Sequence, residues 1–398
     1  MATSFRIGTV FGIPIQLHFT FLIVLPLFAW AFAEGTGSMF GFELGFGDLD
    51  AGWEVRYAFG VVGAVVFFAA ILAHELAHSY TAIRYGVRIK SITLMLFGGV
   101  ASLEEIPRKP GQELTMAFAG PLTSLVIGIV SYGGMALLDL SRSGSALVEG
   151  AVVLLGLMAF YNILLAGFNL LPAFPMDGGR MLRSYLATRM SNLEATRKAA
   201  AAGRYIAIAM GVVGVFTNFF LILIAFFVYF GAKEEERATV ISDSLEGLTV
   251  RQLMTDAVQV VHPDTTVHQL LDLMFATHHM GFPVVDYGVV GVVTLTDAQK
   301  VPKESVHLMK VKDIMTRDVV SVAPETDAAQ ALKTMADRKV GRLLVLDRGR
   351  LVGIVTRKDF LRAVDIMLER RRGVAWQRYP PGQAPPPPPP PSPPAASG

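Results

Sequence analysis

Five apolar runs dominate the chain before Gly231, at residues 17–33, 57–83, 114–138, 151–171 and 199–230. Runs near or above about 20 residues are long enough to cross the hydrocarbon of a bilayer as helices. The fifth carries a polar break at Thr217-Asn218. Read as one helix it crosses once; read as two short helices turning at Asn218 it returns the chain to the side it left, and length alone favours the single crossing. Ahead of the first run, Phe5 to Leu17 alternates loosely and is interrupted by Gly and Pro, a pattern that suits short strands at a membrane surface. Between the second and third runs, Ile89 to Leu103 is β-like and apolar around Gly98-Gly99. A strand at membrane depth needs protein or water partners for its backbone. It is either an edge that pairs with an extended peptide or a hairpin with no substrate role, and composition leaves both open.

Beyond Gly231 the pattern changes. Residues 245–364 are soluble in character and repeat themselves: Val250-Arg-Gln-Leu-Met254-Thr255 returns as Val311-Lys-Asp-Ile-Met315-Thr316, and Gly291-Val-Val-Thr294-Leu-Thr-Asp297 as Gly353-Ile-Val-Thr356-Arg-Lys-Asp359. Each unit reads strand, helix, strand, strand, helix, with a period of roughly 61 residues. Two copies are too few for a solenoid, so a pseudo-symmetric pair is expected. The domain plan is therefore a membrane domain at 1–231, a linker at 232–244, repeats at 245–304 and 305–368, and a disordered Pro-rich tail at 369–398.

Composition supports this plan: 52% of residues are hydrophobic and 17% charged, with a formal net charge of +2. That balance, without a basic stripe, gives no reason to expect a nucleic-acid partner. There is no cysteine, so a metal must be held by His, Asp or Glu. No cleavable signal peptide is evident, and the first run is expected to stay as an anchor. Arg84, Arg88, Lys90, Arg108 and Lys109 follow the second run, and Arg180, Arg183, Arg189, Arg197, Lys198 and Arg204 follow the fourth. This excess of Lys and Arg marks both stretches as cytoplasmic.

The second run ends in His74-Glu75-Leu-Ala-His78. Positions i and i+4 share a helix face, so both imidazoles can aim at one metal ion, with Glu75 beside them to take a proton from an attacking water. Such groups are costly inside a membrane segment and are functional candidates there by default. Two prolines and two glycines in Asn169-Leu-Leu-Pro172-Ala-Phe-Pro175-Met-Asp177-Gly178-Gly179-Arg180 should unwind the backbone near the depth of His78. Asp177, the only acid between Glu149 and Glu194, is the expected third ligand.

Together these motifs resemble those of the site-2 protease family of intramembrane zinc metalloproteases, across about residues 1–231. The FGIPI opening, Gly98-Gly99-Val100 and Ala119-Gly120-Pro121 share in the likeness. The resemblance implies one Zn²⁺ on His74, His78 and Asp177, Glu75 as catalytic base, and Asn169 beside the scissile carbonyl. It also implies a substrate strand around Phe97, Gly98, Gly99 and Val100, and a membrane-spanning protein as substrate. Ser124 departs from the family pattern, where Asn is frequent; the change is expected to leave the metal site untouched and to bear instead on packing and polar contacts of the third helix. The repeats resemble a tandem pair of cystathionine-β-synthase (CBS) domains, which implies ATP, ADP or AMP on Thr294, Asp297, Thr356 and Asp359, and a homodimer through this pair. Those four residues read equally well as N-caps of the last helix of each repeat.

A cytoplasmic CBS pair and tail require an even number of crossings, hence the turn at Asn218. The expected architecture is a multi-span α-helical protein of the cell membrane with about six transmembrane helices and short membrane-associated β-strands, joined to a soluble α/β CBS pair. The rivals are a CBS-gated transporter or channel, in which the buried His and Asp form an ion path, and a catalytically silent membrane scaffold.

Overall fold

The computed structural model describes residues 4–95, 98–103, 110–140 and 145–371. The chain forms two compact units, Met1–Thr239 and Val240–Gly398.

The first unit opens with β1 (Ser4–Val10) and β2 (Ile13–His18), followed by α1 (Phe21–Glu34), a small hairpin of β3 (Ser38–Met39) and β4 (Phe42–Glu43), and α2 (Trp53–Arg84). Next come β5 (Ile89–Met95), β6 (Gly98–Leu103), α3 (Pro110–Asp139), α4 (Ala146–Asn169), α5 (Asp177–Ala187), α6 (Asn192–Thr217) and α7 (Phe219–Leu245). Among the described residues, α2, α3, α4 and α6 are long and apolar enough to cross a membrane. The expected first span is shorter than anticipated. Leu17 belongs to β2, where it is paired with Leu94 of β5, and the helix begins only at Phe21.

The β1-β2-β5-β6 sheet joins chain segments on either side of α1 and α2, with β2 and β5 parallel and the other pairs antiparallel. Alternation along β2 buries Ile13 and Ile15 with Ile92 of β5, and these pack against Leu72 and Leu76 of α2. The sheet therefore lies on the turns of α2 that carry the His-Glu-His motif. At the other end of that helix, α1 packs so closely that a Cβ at Gly60 would sit 2.9 Å from the Ala33 methyl. Phe28, Phe32, Phe67 and Phe68 form an aromatic cluster between the two helices, with Phe28 stacked on Phe67 and the other pairs edge-to-face.

Two findings revise the expected backbone after α4. The chain leaves the helix at Leu170, but helix resumes at Asp177 and runs through Gly178 and Gly179, which had been expected to be unwound. The reason is packing: a Cβ on Gly178 would overlap the carbonyl of Leu171, and one on Gly179 would lie 2.6 Å from the Ala173 carbonyl carbon. The glycines let the new helix start directly beneath the loop that precedes it. After α6 the chain turns at Asn218, and α7 runs back along α6. Gly214 faces Ile222, Ala207 packs with Val228, and Ala199 and Ala200 pack with Ala232. Residues 232–244, expected as a linker, are the second half of α7.

The second unit contains α8 (Val267–Thr277), β7 (Gly281–Val285), β8 (Val289–Thr294), α9 (Leu295–Ala298), α10 (Val311–Ile314), β9 (Ser321–Val322), α11 (Ala328–Asp337), β10 (Arg342–Asp347), β11 (Arg350–Thr356) and α12 (Arg357–Arg371). The repeats are less equal than their sequences: the first strand of repeat 1 is a single bridge, Val261 to Val284, and its last helix has four residues against fifteen in α12. They also interlock. Val250, at the start of repeat 1, lies in the core of repeat 2 with Ala328, Leu343 and Phe360, while Val311, at the start of repeat 2, lies in the core of repeat 1 with Leu270 and Phe282. Arg251 pairs with Glu325 at 2.8 Å and Lys312 with Asp264 at 2.8 Å, the same contact made twice about a pseudo-twofold. Glu369 to Arg371, placed by sequence in the tail, are the last turn of α12; residues 372–398 lie outside the described residues.

Candidate metal centre

His74 and His78 share one face of α2, and Asp177 is the first residue of α5. The three meet: Oδ2 of Asp177 is 3.2 Å from Nε2 of His74 and 3.1 Å from Nε2 of His78, and the two Nε2 atoms are 3.1 Å apart. Among the described residues this is the one group of His, Asp or Glu side chains suited to holding a metal ion. A carboxylate in the first turn of a helix also sits favourably in the helix dipole.

The outward nitrogens of both rings are engaged. Nδ1 of His78 donates to the Met116 carbonyl at 2.7 Å, and Nδ1 of His74 lies 2.9 Å from the Ser124 hydroxyl oxygen. Protons held at Nδ1 leave the Nε2 lone pairs to face the centre, the usual arrangement around a metal-ligating histidine. Ser124 is fully buried. The expectation that its departure from the family pattern leaves the metal site untouched is therefore corrected, because this residue orients a ligand.

Gly120 supplies the remaining wall. A Cβ at this position would overlap Nε2 of His78 and lie 2.6 Å from Nε2 of His74. The missing side chain keeps open the space between the two ligand atoms, which is the test that a resident ion has to pass. Two imidazole nitrogens and one carboxylate oxygen are a donor set that fits a catalytic zinc site.

The remaining candidates fall in different places. Glu75 lies against β6, where a Cβ on Gly99 would be 2.5 Å from its Cγ. Gly98 and Val100 are in that same strand, and Phe97 lies outside the described residues. Asn169 closes α4, and its amide donates to the Leu165 carbonyl at 3.0 Å. In the second unit the Thr294 hydroxyl and backbone N–H both donate to Oδ2 of Asp297, at 2.7 and 3.1 Å. Thr356 and Asp359 repeat this at 2.7 and 2.8 Å. In this structure all four residues act as helix caps.

Compared with known proteins, the chain is 35% identical over 369 residues to the zinc metalloprotease MJ0392 of Methanocaldococcus jannaschii, spanning 92% of this chain and 98% of that one. The chain belongs to Peptidase family M50. The model of that family matches residues 62–141 and 134–213, and the CBS domain model matches residues 250–304 and 311–366. The Rip3 protein of Mycobacterium tuberculosis is 31% identical over 382 residues, or 92% of this chain and 94% of that one. A solved site-2 protease from M. jannaschii shares 37% identity over 59% of this chain and 95% of its own, with a TM-score of 0.39. This M50 chain is a membrane metalloprotease of the site-2 type with a tandem CBS repeat.

Neither Ser124 nor Gly120 was assigned a role at the metal from sequence. The available signal was the Ala119-Gly120-Pro121 triplet within the third apolar run, where small residues permit a close approach of neighbouring helices.

Proposed function

We propose that this M50 protease hydrolyses peptide bonds within or near the transmembrane segments of membrane proteins. The supporting observation is the convergence of His74, His78 and Asp177 on one face while Glu75, next in sequence to His74, lies against β6. A zinc ion held by the three ligands would supply Lewis acidity to the scissile carbonyl and make the attacking water more acidic. Glu75 takes the proton as the water oxygen bonds to the carbonyl carbon, and passes it to the amine nitrogen as the C–N bond breaks. β6 forms one edge of the four-stranded sheet, so an extended substrate can add as a fifth strand beside Glu75. Gly98, Gly99 and Val100, with Phe97 before them, are the strand residues assigned to this contact. Asn169 donates to the developing oxyanion once its amide turns away from Leu165, a contact of this type contributing about 3 kcal/mol.

Two finer assignments belong to the same reading. The CBS pair and the tail face the cytoplasm, which is supported by the Lys- and Arg-rich segments after α2 and α4 and by the turn at Asn218. The CBS pair takes an adenine nucleotide (ATP, ADP or AMP) through Thr294, Asp297, Thr356 and Asp359, regulates access to the metal centre, and joins two copies of the chain. The match of both repeats to the CBS domain model supports the nucleotide assignment.

The test of the hydrolase is cleavage of a single-span model peptide by purified protein, wild type against Glu75→Gln. The reading predicts that cleavage falls by 10²-fold or more while zinc is retained. A scaffold or an ion path predicts no wild-type cleavage. Equal cleavage with and without demonstrably bound ATP or AMP removes the regulatory assignment.

A further inference from the structure

The metal-site reading uses Asp177 but not the charged cluster behind it. Arg183, six residues along α5, is only 4% exposed, and Glu113 at the start of α3 is 6% exposed. The Arg183 guanidinium donates to Glu113 through Nε, at 3.0 Å, and through Nη2, and to Glu235 of α7 through Nη1 at 2.9 Å. It also lies over the ring of Phe174, 5.3 Å from the centroid. The neighbouring Ser184 hydroxyl donates to the Pro110 carbonyl, a second tie between α5 and the start of α3. A buried charge of this kind persists only where it is paired on all sides, and its removal strands its partners.

The loop that delivers Asp177 passes directly under α7. A Cβ on Gly231 would be 2.6 Å from Pro175 Cδ, Val228 packs with Ala173 and Met176, and Ala232 packs with Phe174. On this side α7 touches residues within four positions of the ligand, while its other side packs on Ala199, Ala200 and Ala207 of α6. Apolar contact presses α7 onto the loop without fixing its position along the helix axis, because such contacts are non-directional. The Arg183–Glu235 bond is directional and registers α7 against α5, as the Glu236–Arg204 pair registers it against α6.

We propose that Arg183 is a positioning residue for the metal centre, and that its bond to Glu235 sets the height of α7 over the Phe174–Met176 loop and so the placement of Asp177 against His74 and His78. Glu113 anchors the guanidinium to α3; Glu235 is the adjustable arm. The inference rests on Asp177 being a zinc ligand. It makes α7 the element whose displacement, by whatever means, loosens the metal, and it distinguishes Glu235 from the exposed Glu234 and from Glu236, which pairs instead with Arg204 of α6.

The experiment is zinc release from detergent-purified, full-length protein into a chromophoric chelator, with thermal unfolding recorded on the same samples. Glu235→Leu removes the arm and leaves the Arg183–Glu113 pair. Release is expected to quicken about 10-fold, the scale of changes in groups that orient metal ligands, with an unfolding midpoint near that of wild type. Glu235→Gln keeps an acceptor for Nη1 and is expected to fall between the two; it carries the same readout if the leucine variant does not fold. Glu234→Leu is expected to match wild type. Wild-type release from both Glu235 variants overturns the proposal, as does faster release that merely tracks a lowered unfolding midpoint. Wild-type protein holding no zinc that His74→Ala can remove overturns the metal-site reading as well, so the two failures are distinct.

Discussion

Gly120 of α3 and His78 of α2 stand so close that a methyl group on the glycine would overlap the Nε2 atom of the imidazole. The same methyl would crowd His74. The contact links a helix-packing motif to the chemistry of its neighbour, because the atom that the glycine lacks would fill the space the ion needs. Gly120→Ala is expected to lower zinc affinity on the order of 100-fold, the upper end for changes in residues supporting metal ligands. Zinc per chain after dialysis against a graded chelator checks this. Unchanged retention would mean that the rings move aside without consequence.

Ser124 makes a weaker version of the same argument. Its hydroxyl, 2.9 Å from Nδ1 of His74, fixes that ring's orientation. Ser124→Ala is expected to lower zinc affinity about 10-fold and leave the fold intact, with Ser124→Thr, which keeps the hydroxyl, close to wild type. Competition for zinc against a chelator of known affinity measures both.

Orientation is accessible because the chain has no cysteine. Tyr287 in the second unit is fully exposed, so Tyr287→Cys introduces one reactive thiol. In cells it should be protected from a membrane-impermeant maleimide and become labelled once the membrane is opened from the cytoplasmic side. Labelling of intact cells would place the CBS pair outside and require an odd number of crossings.

In the second unit, Asp264 accepts from Lys312 and Lys310, and these bonds hold its carboxyl down at about 2 from an ordinary 3.8. A carboxylate whose pKa is lowered by folding stabilises the folded state above its unfolded pKa, and that contribution disappears as pH falls through the folded one. The stability difference between wild type and Asp264→Asn should therefore be constant above about pH 5 and shrink between pH 4 and 2. Thermal unfolding across that range tests the sign. A difference that grows toward acid would contradict the pairing.

Much of this architecture was legible in one-dimensional pattern. The spacing of His74 and His78 fixed a helix face, and Asp177 stood out because so few acids occur near it in an apolar stretch. The turn at Asn218 came from parity of crossings, an argument about charge and sides of the membrane rather than length. Less legible were features that depend on what packs across from a residue. Gly178 and Gly179 read as helix breakers, yet they serve to start α5 beneath a carbonyl. Ser124 read as a neutral departure because nothing in sequence shows that it faces His74. The interlocked repeats were hidden for a related reason: Val250 and Val311 belong by sequence to one repeat and by packing to the other. Periodicity finds a buried face but does not name the element that buries it.

The central claim is that His74, His78 and Asp177 hold one zinc ion with a position left open. X-ray absorption at the zinc edge of purified protein tests it most directly. The account predicts one zinc per chain with two imidazole nitrogens and carboxylate oxygen at about 2.0–2.2 Å, and the loss of that spectrum in Asp177→Ala. A zinc spectrum that survives Asp177→Ala unchanged, or protein that takes up no zinc, would contradict it.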